Sequence, residues 1–131
     1  MAMVKRKILV VDDEIDFLEM IRLRLEANNY TVITAINGDE ALEKFAKEKP
    51  AAILLDILMP GMDGIDVLKK IRKTDTKVPV FIITAFSNEE RFSVANKLNA
   101  SGFIVKTSDI QKEIQSITSA IAIAENFKKS S

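Results

Sequence analysis

The 131-residue chain contains no histidine, no cysteine and no tryptophan. Without cysteine there are no disulfides, thiolate nucleophiles, iron–sulfur clusters or cysteine-ligated zinc. Without histidine there is no Ser-His-Asp or Cys-His catalysis, and most transition-metal sites are gone. Any metal used here is a hard cation held by oxygen, such as Mg²⁺ or Ca²⁺. With 3 prolines and 4 glycines, the chain has no Pro/Gly/Ser-rich linker. Long apolar runs are missing too. The longest mainly apolar stretch, Val78 to Phe86, falls far short of the ~20 residues that span a bilayer. The start, Met1 to Lys7, leads into a short apolar run and then Asp12-Asp13-Glu14, which does not resemble a signal peptide. These features predict a cytoplasmic protein without membrane insertion. An excess of one charge sign is also lacking. The 19 Lys+Arg balance 19 Asp+Glu, which argues against direct coating of nucleic acid.

Present instead are five short apolar runs alternating with helix-period segments. The runs are Ile8 to Val11, Tyr30 to Ala35, Ala52 to Leu55, Val78 to Thr84 and Phe103 to Val105. Runs apolar on both faces suit strands covered on both sides, as in parallel sheets. Between them lie amphipathic stripes: Phe17, Leu18, Ile21 and Leu25; Leu42, Phe45 and Ala46; Leu68 and Ile71. Phe92, Ala95 and Leu98 form a weaker stripe, and Ile110, Ile114, Ile117 and Ile121 a sustained one. Asn37 before Glu40, Ser87 before Glu90 and Ser108 before Gln111 supply capping signals. The alternation predicts an α/β fold: a (βα)5 doubly wound, five-stranded parallel sheet in the flavodoxin-like order 2-1-3-4-5.

Ligands of such sheets bind outside the carboxyl ends of the strands. Strand one ends in Asp12-Asp13-Glu14, strand three in Asp56, strand four in Thr84-Ala85 and strand five in Lys106. The fold thus gathers three aspartates, a hydroxyl and an ammonium at one edge. Two like charges ~4 Å apart repel by about 4 kcal/mol at an effective dielectric near 20. Such a cluster raises a carboxylate pKa or binds a cation. Oxygen ligands at an open edge favour Mg²⁺, which keeps waters and suits phosphate. Taken singly, each residue has a plain reading, with Asp13 as a helix N-cap and Lys106 as a solvated lysine. Together they fit phosphoryl transfer.

These residues carry a family resemblance. The run from Asp56 to Gly64, Asp-Ile-Leu-Met-Pro-Gly-Met-Asp-Gly, resembles the phosphoacceptor loop of response-regulator receiver domains in two-component signalling. Ile8 to Glu14 resembles the family's first strand and acid pair. Ile83-Thr84-Ala85 and Phe103-Ile104-Val105-Lys106 match the remaining signatures, and the likeness covers nearly the whole chain.

The resemblance implies a role for each matching position. Asp56 is the phosphoacceptor. Asp13, Asp56 and the backbone carbonyl of Leu58 ligate Mg²⁺ (or Mn²⁺), with Asp12 beside it. Lys106 pairs with Asp56 and then with a phosphoryl oxygen. Thr84 and the Ala85 N–H bind other oxygens, and Phe103 is the switch aromatic. Pro60, Gly61 and Gly64 shape the loop. The implied donor is a histidine kinase or a histidine phosphotransfer protein. An output partner and a phosphorylation-dependent dimer would use the face of helix four, strand five and helix five. The protein would catalyse only its own phosphorylation and dephosphorylation. About 25 residues follow Lys106. The expected organisation is a receiver domain over 1–127, a polar tail over 128–131 and no output domain.

Two features depart from the family pattern. Thr107 follows Lys106, where relatives carry proline. A cis bond there would cost about 2.5–4 kcal/mol, so the loop is either trans and reshaped or strained. Leu58 and Phe86 are apolar where relatives often carry polar side chains. Neither orients an attacking water, which predicts slow autodephosphorylation.

Other functions fit less well. A flavodoxin-like electron carrier needs a phosphate loop where Asp12-Asp13-Glu14 would repel the phosphate. A haloacid-dehalogenase phosphatase needs Asp-x-Asp, and Glu14 stands in the third position. A receiver-shaped interaction module that is never phosphorylated would have no need of the intact Asp12, Asp13, Asp56, Thr84 and Lys106.

Overall fold

The computed structural model describes residues 6–57, 59, 61, 63–84, 89–105, 112 and 115–123, with backbone alone at 84, 89–92 and 105. Strands β1 (Arg6–Val11), β2 (Tyr30–Ala35), β3 (Ala52–Asp56), β4 (Val80–Thr84) and β5 (Gly102–Val105) form one sheet. All four pairings are parallel, in the order β2-β1-β3-β4-β5. Helices α1 (Ile15–Ala27), α2 (Gly38–Glu48), α3 (Gly64–Thr74) and α4 (Glu89–Lys97) make the crossovers. Residues 115–123 form a final helix. The expected doubly wound sheet is the observed one.

The apolar runs explain the layers. Successive strand residues face opposite sides. Leu9, Val11, Ile53, Leu55, Val80 and Ile82 pack with Ala41, Ile65, Leu68, Ile71 and Ala95 on one face. Ile8, Val10, Leu54, Phe81 and Ile83 pack with Leu18, Ile21, Leu25, Ile117 and Ile121 on the other. Fully burying one such side chain contributes about 1.5–3 kcal/mol, so both faces hold the sheet in register.

Three local expectations need adjusting. The run from Val78 places the start of β4 two residues early. Pro79 has no N–H for a ladder, so pairing begins at Val80 opposite Ile53. The stripe of α2 is rotated: Ala41 is fully buried, Leu42 and Phe45 are half-buried and Ala46 is exposed. A small side chain suits the close approach of this helix to the sheet. Asp13 is not the cap of α1. Glu14 holds that position, and its N–H is met by the Asp12 carboxylate at 2.9 Å. The Asn37 cap is as expected, accepting the Glu40 N–H at 2.8 Å. The signals at Ser87 and Ser108, and Ile110 and Ile114, lie outside the described residues.

One corner is tied by a single side chain. Arg72, in the last turn of α3, donates to the carbonyls of Leu98 (2.8 Å), Asn99 (2.9 Å), Val78 (2.8 Å) and Asp75 (3.1 Å). It joins the end of α3, the approach to β4 and the end of α4. Burial pushes its guanidinium pKa down, against the opposing pull of Asp75. Asn99 adopts a left-handed conformation, φ 60°, which asparagine tolerates better than most residues.

Candidate phosphoacceptor site

β1 lies between β2 and β3, so the chain crosses to opposite sides of the sheet at its carboxyl edge. The last register pair between β1 and β3 is Val11 with Leu55. Asp12 and Asp56 come one step later on neighbouring strands, which sets them side by side. The Asp12 N–H bonds the Ala35 carbonyl at 3.0 Å, continuing the β1–β2 pairing past the strand end. Asp56 is the final residue of β3 and stands opposite Ile83 of β4.

Among the described residues, Asp12 (1% exposed) and Asp56 (4%) are the buried charged side chains. Asp13 is exposed beside them, and one carboxylate oxygen from each of the three lies within 4.8 Å of the others. Three anionic oxygens this close, two of them shielded from water, create a strong local negative potential. With oxygen donors and neither nitrogen nor sulfur, the set fits a hard divalent cation such as Mg²⁺.

The loop after Asp56 is shaped by contacts that the sequence only hints at. Ile57 and Met59 are buried and anchor it. Gly61 has φ +80°, a conformation natural to glycine. Asp63 caps α3, its carboxylate accepting the Ile65 N–H at 2.8 Å. Gly64 then donates its N–H to the Ile57 carbonyl at 2.9 Å. An Asp before a Gly is the available signal for this cap, while the return contact onto Ile57 has none.

Thr84 ends β4 with its backbone in register with Val105. Phe103 on β5 is 37% exposed. Leu58, Ala85, Phe86, Lys106 and the Lys106–Thr107 bond lie outside the described residues. Of the expected site residues, the structure therefore brings together Asp12, Asp13 and Asp56. Thr84 stands one strand away from Asp56 in the same sheet.

A 2-1-3-4-5 parallel sheet with three carboxylates at its switch point defines a flavodoxin-like domain with an acidic pocket. Comparison with known proteins narrows that class. The family model described as the response regulator receiver domain matches residues 8–118. The alkaline phosphatase synthesis transcriptional regulatory protein PhoP of Bacillus subtilis (strain 168) is 40% identical over 101 residues, covering 77% of this chain and 42% of that protein. Sporulation initiation phosphotransferase F of the same organism is 31% identical over 124 residues, covering 95% of this chain and all (100%) of that one. Among solved structures, chemotaxis protein CheY4 of Vibrio cholerae superposes with TM-score 0.81 at 28% identity, covering 89% of this chain and 99% of that one. A CheY-like receiver domain protein of Methanospirillum hungatei JF-1 gives TM-score 0.85 at 25% identity, covering 94% and 98%. The chain belongs to the response regulator receiver domain family of two-component signalling. It spans only about 40–50% of the transcriptional regulators it matches. Among the described residues no helix is long and apolar enough to cross a membrane.

Proposed function

We propose that Asp56 accepts a phosphoryl group from a phosphohistidine donor, a histidine kinase or histidine phosphotransfer protein. The observation that carries this reading is the cluster of three carboxylate oxygens within 4.8 Å, with Asp56 buried at its strand end. One Asp56 oxygen attacks phosphorus in line. The O–P bond forms as the P–N bond breaks to a donor imidazole protonated at its other ring nitrogen; the P–N electron pair stays on the freed nitrogen, and the imidazole leaves neutral. Asp13, Asp56 and the Leu58 carbonyl would hold Mg²⁺, with Asp12 beside it, and the ion would supply positive charge against the pocket and the phosphoryl oxygens. Lys106 offers a compact, mobile charge to one phosphoryl oxygen. The Thr84 hydroxyl and the Ala85 N–H bind others.

The chain has no histidine, so the phosphohistidine belongs to another protein. Exposed Ile15 opens α1, three residues after Asp12. Exposed Ile36 follows Ala35, the partner of the Asp12 N–H. Both offer apolar contact to a protein donor at the pocket rim. Phosphate contacts with Thr84 and Lys106 then bias a two-state equilibrium in which Phe103 turns inward and the α4–β5–final-helix face is read by an output partner or a second copy. Meeting a kinase in this way places the domain in the cytoplasm. Apolar Leu58 and Phe86 make the acyl phosphate long-lived.

The test is incubation with acetyl phosphate and Mg²⁺, followed by intact-mass analysis. One phosphoryl group is expected on the wild type and none on Asp56→Asn or in excess EDTA. An unmodified wild type, or equal labelling of Asp56→Asn, would favour an interaction module that works without phosphorylation.

A further inference from the structure

We propose that Gly64 is a positioning residue for Asp56, a role that rests on the phosphoacceptor reading. The first turn of α3 folds back onto the peptide that joins Asp56 to Ile57. The Gly64 N–H donates to the Ile57 carbonyl at 2.9 Å. A Cβ on residue 64 would lie 2.6 Å from the Ile57 Cα and 3.0 Å from the Asp56 carbonyl carbon, and would overlap the Asp56 carbonyl oxygen. All three are backbone atoms, so no side-chain rotation relieves the contact.

What would move follows from what is held. α3 is fixed by its Asp63 cap and by the buried Ile65, Val67, Leu68 and Ile71. The body of β3 is fixed by pairing with β1 and β4 on either side. Asp56 is the last paired residue of β3 and Ile57, though its side chain is buried, lies beyond the ladder, so the Asp56–Ile57 peptide is the least constrained of the parts in contact. Reaching ordinary contact from 2.6 Å requires a displacement of roughly 0.8 Å. That motion changes the aim of the Asp56 Cα–Cβ bond relative to the other two carboxylates. A misplacement of about 1 Å at a reacting group costs up to ~100-fold in rate. The absence of a side chain at position 64 thus sets the aim of the nucleophile.

Gly61 provides the control within the same loop. An alanine there is strained by φ +80° but meets no atom within 4 Å. It loads the loop without pushing on Asp56.

The experiment measures initial phosphorylation rates of the full chain against acetyl phosphate concentration at saturating Mg²⁺. For Gly64→Ala the saturating rate is expected to fall about 10- to 100-fold with the half-saturating donor concentration unchanged. Gly61→Ala is expected to stay within about threefold of wild type. Metal-free amide NMR spectra of Gly64→Ala should show shifts centred on Asp56 and Ile57. A wild-type rate in Gly64→Ala overturns the proposal, as does equal loss in both variants in proportion to their unfolding midpoints. A wild type that takes no phosphoryl group overturns the phosphoacceptor reading itself, and this role with it. Should Gly64→Ala unfold in buffer alone, the rates of wild type and both variants are measured in a stabilising osmolyte that restores its fold, with the same outcomes supporting or overturning the proposal.

Discussion

The two ends of the sheet handle charge in opposite ways. At the carboxyl edge, three carboxylates converge within 4.8 Å and two of them are buried. At the amino edge, the Arg72 cation meets four carbonyl oxygens at 2.8–3.1 Å from three neighbouring segments. The first arrangement crowds like charges, and its oxygen-only donors fit a cation supplied from outside. The second satisfies its charge internally and holds helices in place. The proposed phosphoacceptor thus sits where like charges crowd, and the tie between helices where a charge is fully met. The opposed edges also share a helix: α3 begins against Asp56 and ends at Arg72.

The strongest way to break this comparison is to remove the settled charge. Arg72→Ala leaves carbonyls of Leu98, Asn99, Val78 and Asp75 without their donor. Hydrogen bonds to a charged group contribute about 1.5–3 kcal/mol, and the site is half-buried, so a loss of about 2–3 kcal/mol is expected in urea unfolding. Phosphorylation of the folded variant should persist, because the acidic pocket lies at the other end of α3. A loss below about 0.5 kcal/mol would mean that water replaces the guanidinium without cost.

The next effect comes from satisfying the other edge. Mg²⁺ at ten times its dissociation constant should stabilise the wild type by about 1.4 kcal/mol, read as a shift in the unfolding midpoint that EDTA reverses. Asp13→Asn should abolish most of that increment. The same variant should be slightly more stable than wild type without metal, by about 0.5 kcal/mol, since Asp13 is exposed and its repulsion is screened. If Asp13→Asn instead destabilised the metal-free chain, the edge would not be electrostatically loaded as argued.

This contrast also explains what could be read from the sequence. The strands were legible because residues such as Ile53, Leu54 and Leu55 are buried on alternating faces, and both faces demand apolar side chains. Asp12, Asp13 and Asp56 were legible only as a set, because the expected strand order brings the ends of the first and third apolar runs side by side. Arg72 was not, since its acceptors are backbone carbonyls up to 27 residues away and carry no side-chain signature. The tight approach of Gly64 was equally hidden. It depends on how α3 returns across a loop, which periodicity does not encode. The α2 stripe is shifted because the small Ala41 carries little apolar signal in a sequence, whereas the packing geometry makes it the core residue.

The smallest expected effect tests whether charge matters anywhere water is free to enter. On α1, Arg22 bridges Glu19 and, at 2.6 Å, Glu26 on the helix surface. The hydrogen bond from Arg22 holds the Glu19 carboxyl below its ordinary range. A carboxyl with a lowered folded-state pKa stabilises above its unfolded pKa and loses that contribution as pH falls through the folded value. Glu19→Gln should therefore flatten the acid limb of the unfolding midpoint, below about pH 4.5. At pH 7 it should lower the midpoint only slightly, by the same small increment that the acid limb loses, because Glu19 is exposed and solvent screens the pair. A pH 7 shift as large as that of Arg72→Ala would sink the contrast drawn above. Charge geometry alone, rather than exclusion of water, would then govern this fold.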